Sequence, residues 1–175
     1  MKKGLIHLYT GEGKGKTTAA LGLLLRANGH GLRAVLVQFL KGRDSGELTA
    51  LGRLPGVTVL RYDRDFGFYS SASEVDRAEM TRQNNENLKE ACRLADASLC
   101  DLLILDEVCA AYNNGSVGAE AIDRLIREKP EHLELVLTGR DAPQSFAEAA
   151  DYITEFLKRK HPYDSGIAAR EGVEF

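Results

Sequence analysis

Residues 10–20 read TGEGKGKTTAA, set between an apolar run, GLIHLY, and a leucine-rich stretch, LGLLLRANG. Gly11, Gly13 and Gly15 alternate, and glycine permits the φ values that turn successive backbone N–H groups toward one point. Lys16, Thr17 and Thr18 then begin a helix, whose N-terminus adds positive potential. Strand, glycine loop and helix together form a phosphate cradle. Its amides hold phosphates, Lys16 reaches phosphate oxygens, and Thr17 offers a hydroxyl to Mg2+. The GxxxxGK[ST] pattern is met with Thr10 in place of its first glycine. A dinucleotide GxGxxG reading fails, because Lys16 stands where the third glycine belongs. The expected ATP-binding set is Thr10, Gly11, Gly13, Lys14, Gly15, Lys16, Thr17 and Thr18.

A cradle after the first strand makes the rest of the chain legible. Further apolar runs predict strands at 4–10, 33–41, 57–62, 101–106, 133–138 and 151–157. Helical patterns fall at 16–28, 45–53, 73–97, 118–128 and 143–150. Several strands are nearly continuous in apolar residues, as when both faces of a sheet are covered. Alternation of strand and helix argues for one α/β domain over 1–175 with a mainly parallel sheet of about six strands. In open parallel sheets, ligands bind beyond the carboxyl ends of the strands. The unusual residues cluster there: the glycine loop, KGRDSGE, DRDFGFYSS, the DE closing strand four, TGR and KRKHPYDSG.

LLILDE, residues 102–107, reads as the second half of such a site. Its strand carries Asp106 and Glu107 to the phosphates, where either holds Mg2+ directly or through water. A kinase also needs a group to position an acceptor hydroxyl, and often an arginine-rich lid; no segment stands out as one. Gln38 and Gln144 have the chemistry to orient a water, but their spacing supports no such role.

Bulk properties exclude other classes. Formal net charge is −3, so nothing drives the chain toward nucleic acid or an anionic membrane surface. No apolar stretch approaches the roughly 20 residues that span a bilayer. The opening MKKGLIHLYTGEG lacks a signal-peptide pattern, so the cytoplasm is the expected compartment. Cys92, Cys100 and Cys109 form no CxxC pair and are expected as reduced, mostly buried thiols.

With TGEGKGKTTAALG, VQFLKG, LDE, LTGR and KHPYDSGIAAREGVEF all in order, the chain closely resembles the ATP:corrinoid adenosyltransferases of the cob(I)yrinic acid a,c-diamide (cob(I)alamin) type. The resemblance runs from about residue 4 to the C-terminus. It implies a RecA-like P-loop fold, a homodimer, and a reduced flavoprotein as electron donor. It also implies transfer of adenosyl rather than phosphoryl: Co(I) attacks the ribose 5′-carbon of ATP, and triphosphate leaves. On this reading Lys16, Thr17 and Glu107 are the catalytic set, and Thr17, Glu107 and Asp106 hold Mg2+ with the phosphates. Arg140 of LTGR joins the ATP contacts.

The family's aromatic-x-aromatic element, which packs at the corrinoid and helps exclude its lower axial ligand, matches Phe66, Gly67 and Phe68. Phe68 replaces the family's usual tryptophan, and Asp65 replaces the preceding glycine. Lys41 and Glu47 are expected to line the nucleotide and corrinoid crevice. His161 is either a ligand contact or a turn residue, and Lys158, Arg159 and Lys160 read as a solvated basic run. Many members of the family that the chain resembles carry an N-terminal arm over the site; here Met1–Lys3 precede strand one, so a more open site or another covering loop is expected. Helix 73–97, rich in charge, reads as a solvent-facing crossover. Two alternatives stay open: a P-loop phosphotransferase or ATPase, and a non-catalytic, nucleotide-gated corrinoid binder.

Overall fold

The computed structural model describes residues 3–174. Six strands form one all-parallel sheet: β1 (Ile6–Thr10), β2 (Ala34–Gln38), β3 (Val57–Leu60), β4 (Leu102–Asp106), β5 (Glu134–Thr138) and β6 (Tyr152–Glu155). Their order across the sheet is β3-β2-β4-β5-β1-β6. The α/β class, the strand count and the parallel pairing all match expectation. β2 and β4 are buried at every residue, as their unbroken AVLVQ and LLILD require.

The helices are α1 (Lys16–Gly29), α2 (Gly46–Leu51), α3 (Glu74–Asp96), α4 (Val108–Asn113), α5 (Ala119–Glu128) and α6 (Gln144–Ala149). Two short 3-10 turns follow β3 and β6, at Tyr69–Ser71 and Pro162–Ser165. The core has two layers. Ala20 and Leu24 of α1 meet Ala34, Leu36, Leu102, Ile104 and Val136 on one face of the sheet. On the other, Leu88, Ala91 and Ala95 of α3 and Ile122 of α5 meet Val35, Val37, Leu103, Leu105 and Leu137. Cys100 and Cys109 are buried free thiols whose pKa values burial pushes up to about 12, and Cys92 is half-buried.

Three details differ from the sequence expectation. The predicted strands shorten, because the ladder of backbone hydrogen bonds ends where the loops peel away; strand one begins at Ile6 rather than residue 4, and strand two ends at Gln38 rather than 41. Helix α3 is a crossover with a solvent-facing charged side, but it also carries a core-facing side that its polar composition conceals. Met80, Gln83, Asn84, Leu88, Ala91 and Ala95 make a buried stripe at helical spacing beneath its charged outer face. Helix α4 is the third difference: six residues opened by Glu107 in the left-handed region (φ 61), with no side-chain cap to announce it.

Candidate active site

Everything chemical gathers at the carboxyl edge of the sheet, as the parallel topology demands. The glycine loop leaves β1 and is pinned from the side. The Gly13 amide donates to the Phe156 carbonyl at 2.6 Å, and the Phe156 amide donates back to the Thr10 carbonyl at 2.8 Å. A Cβ at residue 13 would lie 2.6 Å from that same Phe156 oxygen, so only glycine lets the two backbones approach. Gly15 takes φ 120 to turn the chain into α1. Lys16, 7% exposed, folds its ammonium under the loop and donates to the Gly11 and Gly13 carbonyls at 2.5 and 3.0 Å. Burial lowers its pKa, against the opposing charge of Glu107.

Beside the loop lies a fully buried carboxylate. Asp106 Oδ1 accepts from Thr17 Oγ1 at 2.8 Å and from Thr138 Oγ1 at 2.7 Å. Its Oδ2 accepts from Lys41 Nζ at 2.6 Å, and the same ammonium lies 3.3 Å from Thr17 Oγ1. Burial would lower the Lys41 pKa, but the charge and hydrogen bond of Asp106, with Glu107 and Glu47 behind it, outweigh that and raise it. Thr138 also accepts from the Glu107 amide at 2.9 Å, fixing the strained turn that aims Glu107 away from Asp106. Consecutive carboxylates thus part: one sealed below, one facing the cavity.

That cavity is about 820 Å3. Glu12 and residues 13–18 form its floor, with Lys41, Glu47, Glu107 and Arg140 around it. Thr10 and Gly11 are not among its lining residues. Arg140 reaches Glu12 at 3.2 Å across the rim. The far wall comes from the C-terminal segment: Lys158, His161, Tyr163, Asp164 and 172–174. Lys14 ties that segment down, 3.1 Å from Glu174. His161 accepts from the Tyr163 amide through Nδ1, so it is at once a turn residue and a cavity wall.

A second cavity of about 250 Å3 adjoins the first and shares Lys41, Glu47 and Glu174 with it. Phe68, 76% exposed, stands at its edge with Asp65, Gly67 and the 42–45 loop. Phe66 lines neither cavity. Its ring packs edge-on against Tyr62, with centroids 5.3 Å apart, and Arg64 covers its other side at 4.4 Å. The aromatic pair is therefore divided: Phe66 anchors the loop and Phe68 is presented.

Sequence reasoning missed Thr138 and the role of Gln38 as a cavity residue. Both are last residues of their strands, and only strand pairing brings them beside Asp106; Gln38 is its register partner. The LTGR tetrapeptide was the available signal for Thr138.

Among the described residues no cluster of three or more His, Cys, Asp or Glu side chains could hold a metal by itself. Thr17 and Glu107, which both line the cavity, fit a Mg2+ ion that takes its remaining ligands from phosphates and water; Asp106, sealed with both oxygens taken by Thr17, Thr138 and Lys41, stands behind and orients the Thr17 hydroxyl instead of ligating directly. No helix is long and apolar enough to cross a membrane, among the described residues.

A model of the family described as ATP:corrinoid adenosyltransferase BtuR/CobO/CobP matches residues 2–175. The corrinoid adenosyltransferase of Sinorhizobium sp is 36% identical over 176 residues, covering 99% of this chain and 81% of that protein. The corrinoid adenosyltransferase of Escherichia coli (strain K12) is 34% identical, covering 99% of this chain and 87% of that one. A solved structure of the genome packaging NTPase B204 from Sulfolobus turreted icosahedral virus 2 with AMP aligns at a TM-score of 0.48 and 18% identity, over 93% of this chain and 79% of that one.

Proposed function

The chain belongs to the ATP:corrinoid adenosyltransferase family, and on that premise we propose how its residues transfer adenosyl from ATP to a corrinoid. The observation that carries the proposal is the adjacency of the two cavities. One is floored by a cationic polyphosphate loop. The other lies under an exposed aromatic ring, and the two share Lys41, Glu47 and Glu174.

ATP binds with its triphosphate over Gly13–Thr18, within reach of Lys14, Lys16 and Arg140. The 5′-carbon is left facing the corrinoid side, where Phe68, Lys41 and Glu47 form the border and Phe66 holds the loop that presents Phe68. The electron pair of Co(I) forms the new cobalt–carbon bond as the C5′–O5′ bond breaks. Triphosphate leaves with the electrons of that bond, and cobalt ends as Co(III). No proton moves in this step, so the protein needs no general base. Its work is alignment of C5′ with cobalt and stabilisation of charge on the leaving oxygens. Loop amides and Lys16 do the latter. Mg2+, held by Thr17 and Glu107 with Asp106 orienting the Thr17 hydroxyl from behind, would add a Lewis acid on the phosphates. Phe68 packs against the corrinoid to displace the lower axial ligand, which makes Co(II) easier to reduce.

We further propose one domain over 1–175, a homodimer, a cytoplasmic location and an external reductant such as a reduced flavoprotein. The reaction is tested by supplying Mg·ATP with cobalamin under strong reductant. Expected are intact triphosphate and a light-sensitive alkylcobalamin in equal amounts. ADP and phosphate without an alkylated corrinoid would instead establish phosphotransferase or ATPase chemistry. ATP-dependent corrinoid binding with no product would leave a binding protein.

A further inference from the structure

Gln38 closes β2 and is 2% exposed. Its Nε2 is buried without a hydrogen-bond partner among the described residues. The nearest acceptor by strand register is Asp106, and both oxygens of that carboxylate are already taken by Thr17, Thr138 and Lys41. Buried amides almost always find partners, so one that does not calls for a physical reason. The position supplies it. Gln38 lines the second cavity and not the first, beside Leu40, whose φ of 59 turns the chain after the strand.

The shape and chemistry of the space narrow its occupant. At about 250 Å3 it is below the roughly 300–1,000 Å3 that encloses a whole drug-sized ligand. It suits a substituent, not a macrocycle. It adjoins Phe68, the exposed ring assigned to the corrinoid. Corrinoids carry short acetamide and propionamide arms around the ring, each with one acceptor and one N–H2 donor group. A glutamine carboxamide has the same complement, and two primary amides can pair head to head with two hydrogen bonds.

We propose that Gln38 is a specificity-determining residue for the corrinoid: its carboxamide, at the base of the second cavity, pairs with a peripheral carboxamide arm of the substrate. This rests on the adenosyltransferase reading. It adds a polar anchor that holds the macrocycle in register over the nucleotide, which neither the phosphate loop nor Phe68 supplies.

The test uses Gln38→Met, of similar length and without a polar head, and Gln38→Glu, which keeps the shape and one acceptor role. Cob(II)alamin is titrated into each protein with saturating Mg·ATP and followed by absorbance and electron paramagnetic resonance. ATP affinity is measured separately without corrinoid. The expected order of cobalamin affinity is wild type, then Glu, then Met, with Met weaker by about 5–30-fold, the loss of one or two neutral hydrogen bonds. ATP affinity stays within about twofold. Thermal stability runs the other way, with Met at least equal to wild type, because an apolar head suits a buried site better than an unpaired amide. Unchanged cobalamin affinity in Gln38→Met overturns the proposal. So does an equal loss of ATP affinity, which would assign the amide to the nucleotide. A fall in melting temperature with cobalamin affinity intact overturns it too, as a purely structural amide. Wild-type protein that neither binds cob(II)alamin nor, once strong reductant has converted it to cob(I)alamin, alkylates the cobalt would refute the adenosyltransferase reading itself, and this inference with it.

Discussion

Glu107 concentrates a conflict in one residue. It sits at φ 61, where a non-glycine side chain costs about 1–2 kcal/mol, yet it lines the first cavity at the end of the strand that carries Asp106. Glu107→Gly should therefore raise the melting temperature by about 2–4 °C, since roughly 1 kcal/mol moves a domain of this size that far. The same change should lower turnover sharply by removing the carboxylate assigned to Mg2+. Scanning calorimetry beside an adenosylation assay checks both signs. Phe68, exposed and free to pack on a ligand, gives a different split. Phe68→Ala should suppress formation of four-coordinate Co(II) and its reduction while leaving ATP affinity unchanged; equal losses in both would remove the ring from the corrinoid side.

Among the elements, strands β2 and β4 are locked at their N-terminal ends by one ion pair. Asp101 accepts from the Arg33 amide at 2.9 Å, and from Nε and Nη2 at 3.0 and 3.1 Å. Arg33's hydrogen bonds hold the Asp101 carboxyl below its usual pKa. A depressed folded value means the stabilisation is present above the unfolded pKa of about 3.9 and is lost as pH falls through the folded one. Asp101→Asn should cost about 1 kcal/mol at neutral pH, a charged hydrogen-bond pair discounted for the exposure of Arg33. Wild type and variant should converge in melting temperature as the solution is acidified past that window.

The elements also mark what sequence could and could not reveal. The buried strands were plain because both faces are covered and their residues say so. α4 was hidden because it is short and opens on a strained glutamate instead of a capping residue. The exposed face of β6 was hidden because DYITEFL reads the same at an edge as at a centre. At the site, the loop and LLILDE were legible because contiguous residues carry the chemistry. Thr138, Gln38 and the clasp of Lys41 on Asp106 were not, because strand pairing and the fold of the loop after β2 assemble them from distant segments.

For the molecule as a whole, the site draws on the segments that leave every strand of the sheet, the last of them folded back across the loop. Such a site should report occupancy as global stability. Mg·ATP at 100 times its Kd should stabilise the fold by about 2.7 kcal/mol, or roughly 5–11 °C in a domain of this length. If the polyphosphate tail is the principal handhold, Mg-tripolyphosphate should reproduce most of that shift and adenosine little of it. A large shift with adenosine alone would contradict a grip centred on the loop.

Among the described residues, strand β6 has a neighbour on one side only, and all four of its residues are exposed. Yet the carbonyl just beyond it receives the Gly13 amide, so the phosphate loop hangs from the sheet's least guarded margin. Fraying there propagates into the loop. In deuterium-exchange measurements the amides of Gly13 and Phe156 should open together, well ahead of those in β2 and β4, and slow together when triphosphate is added.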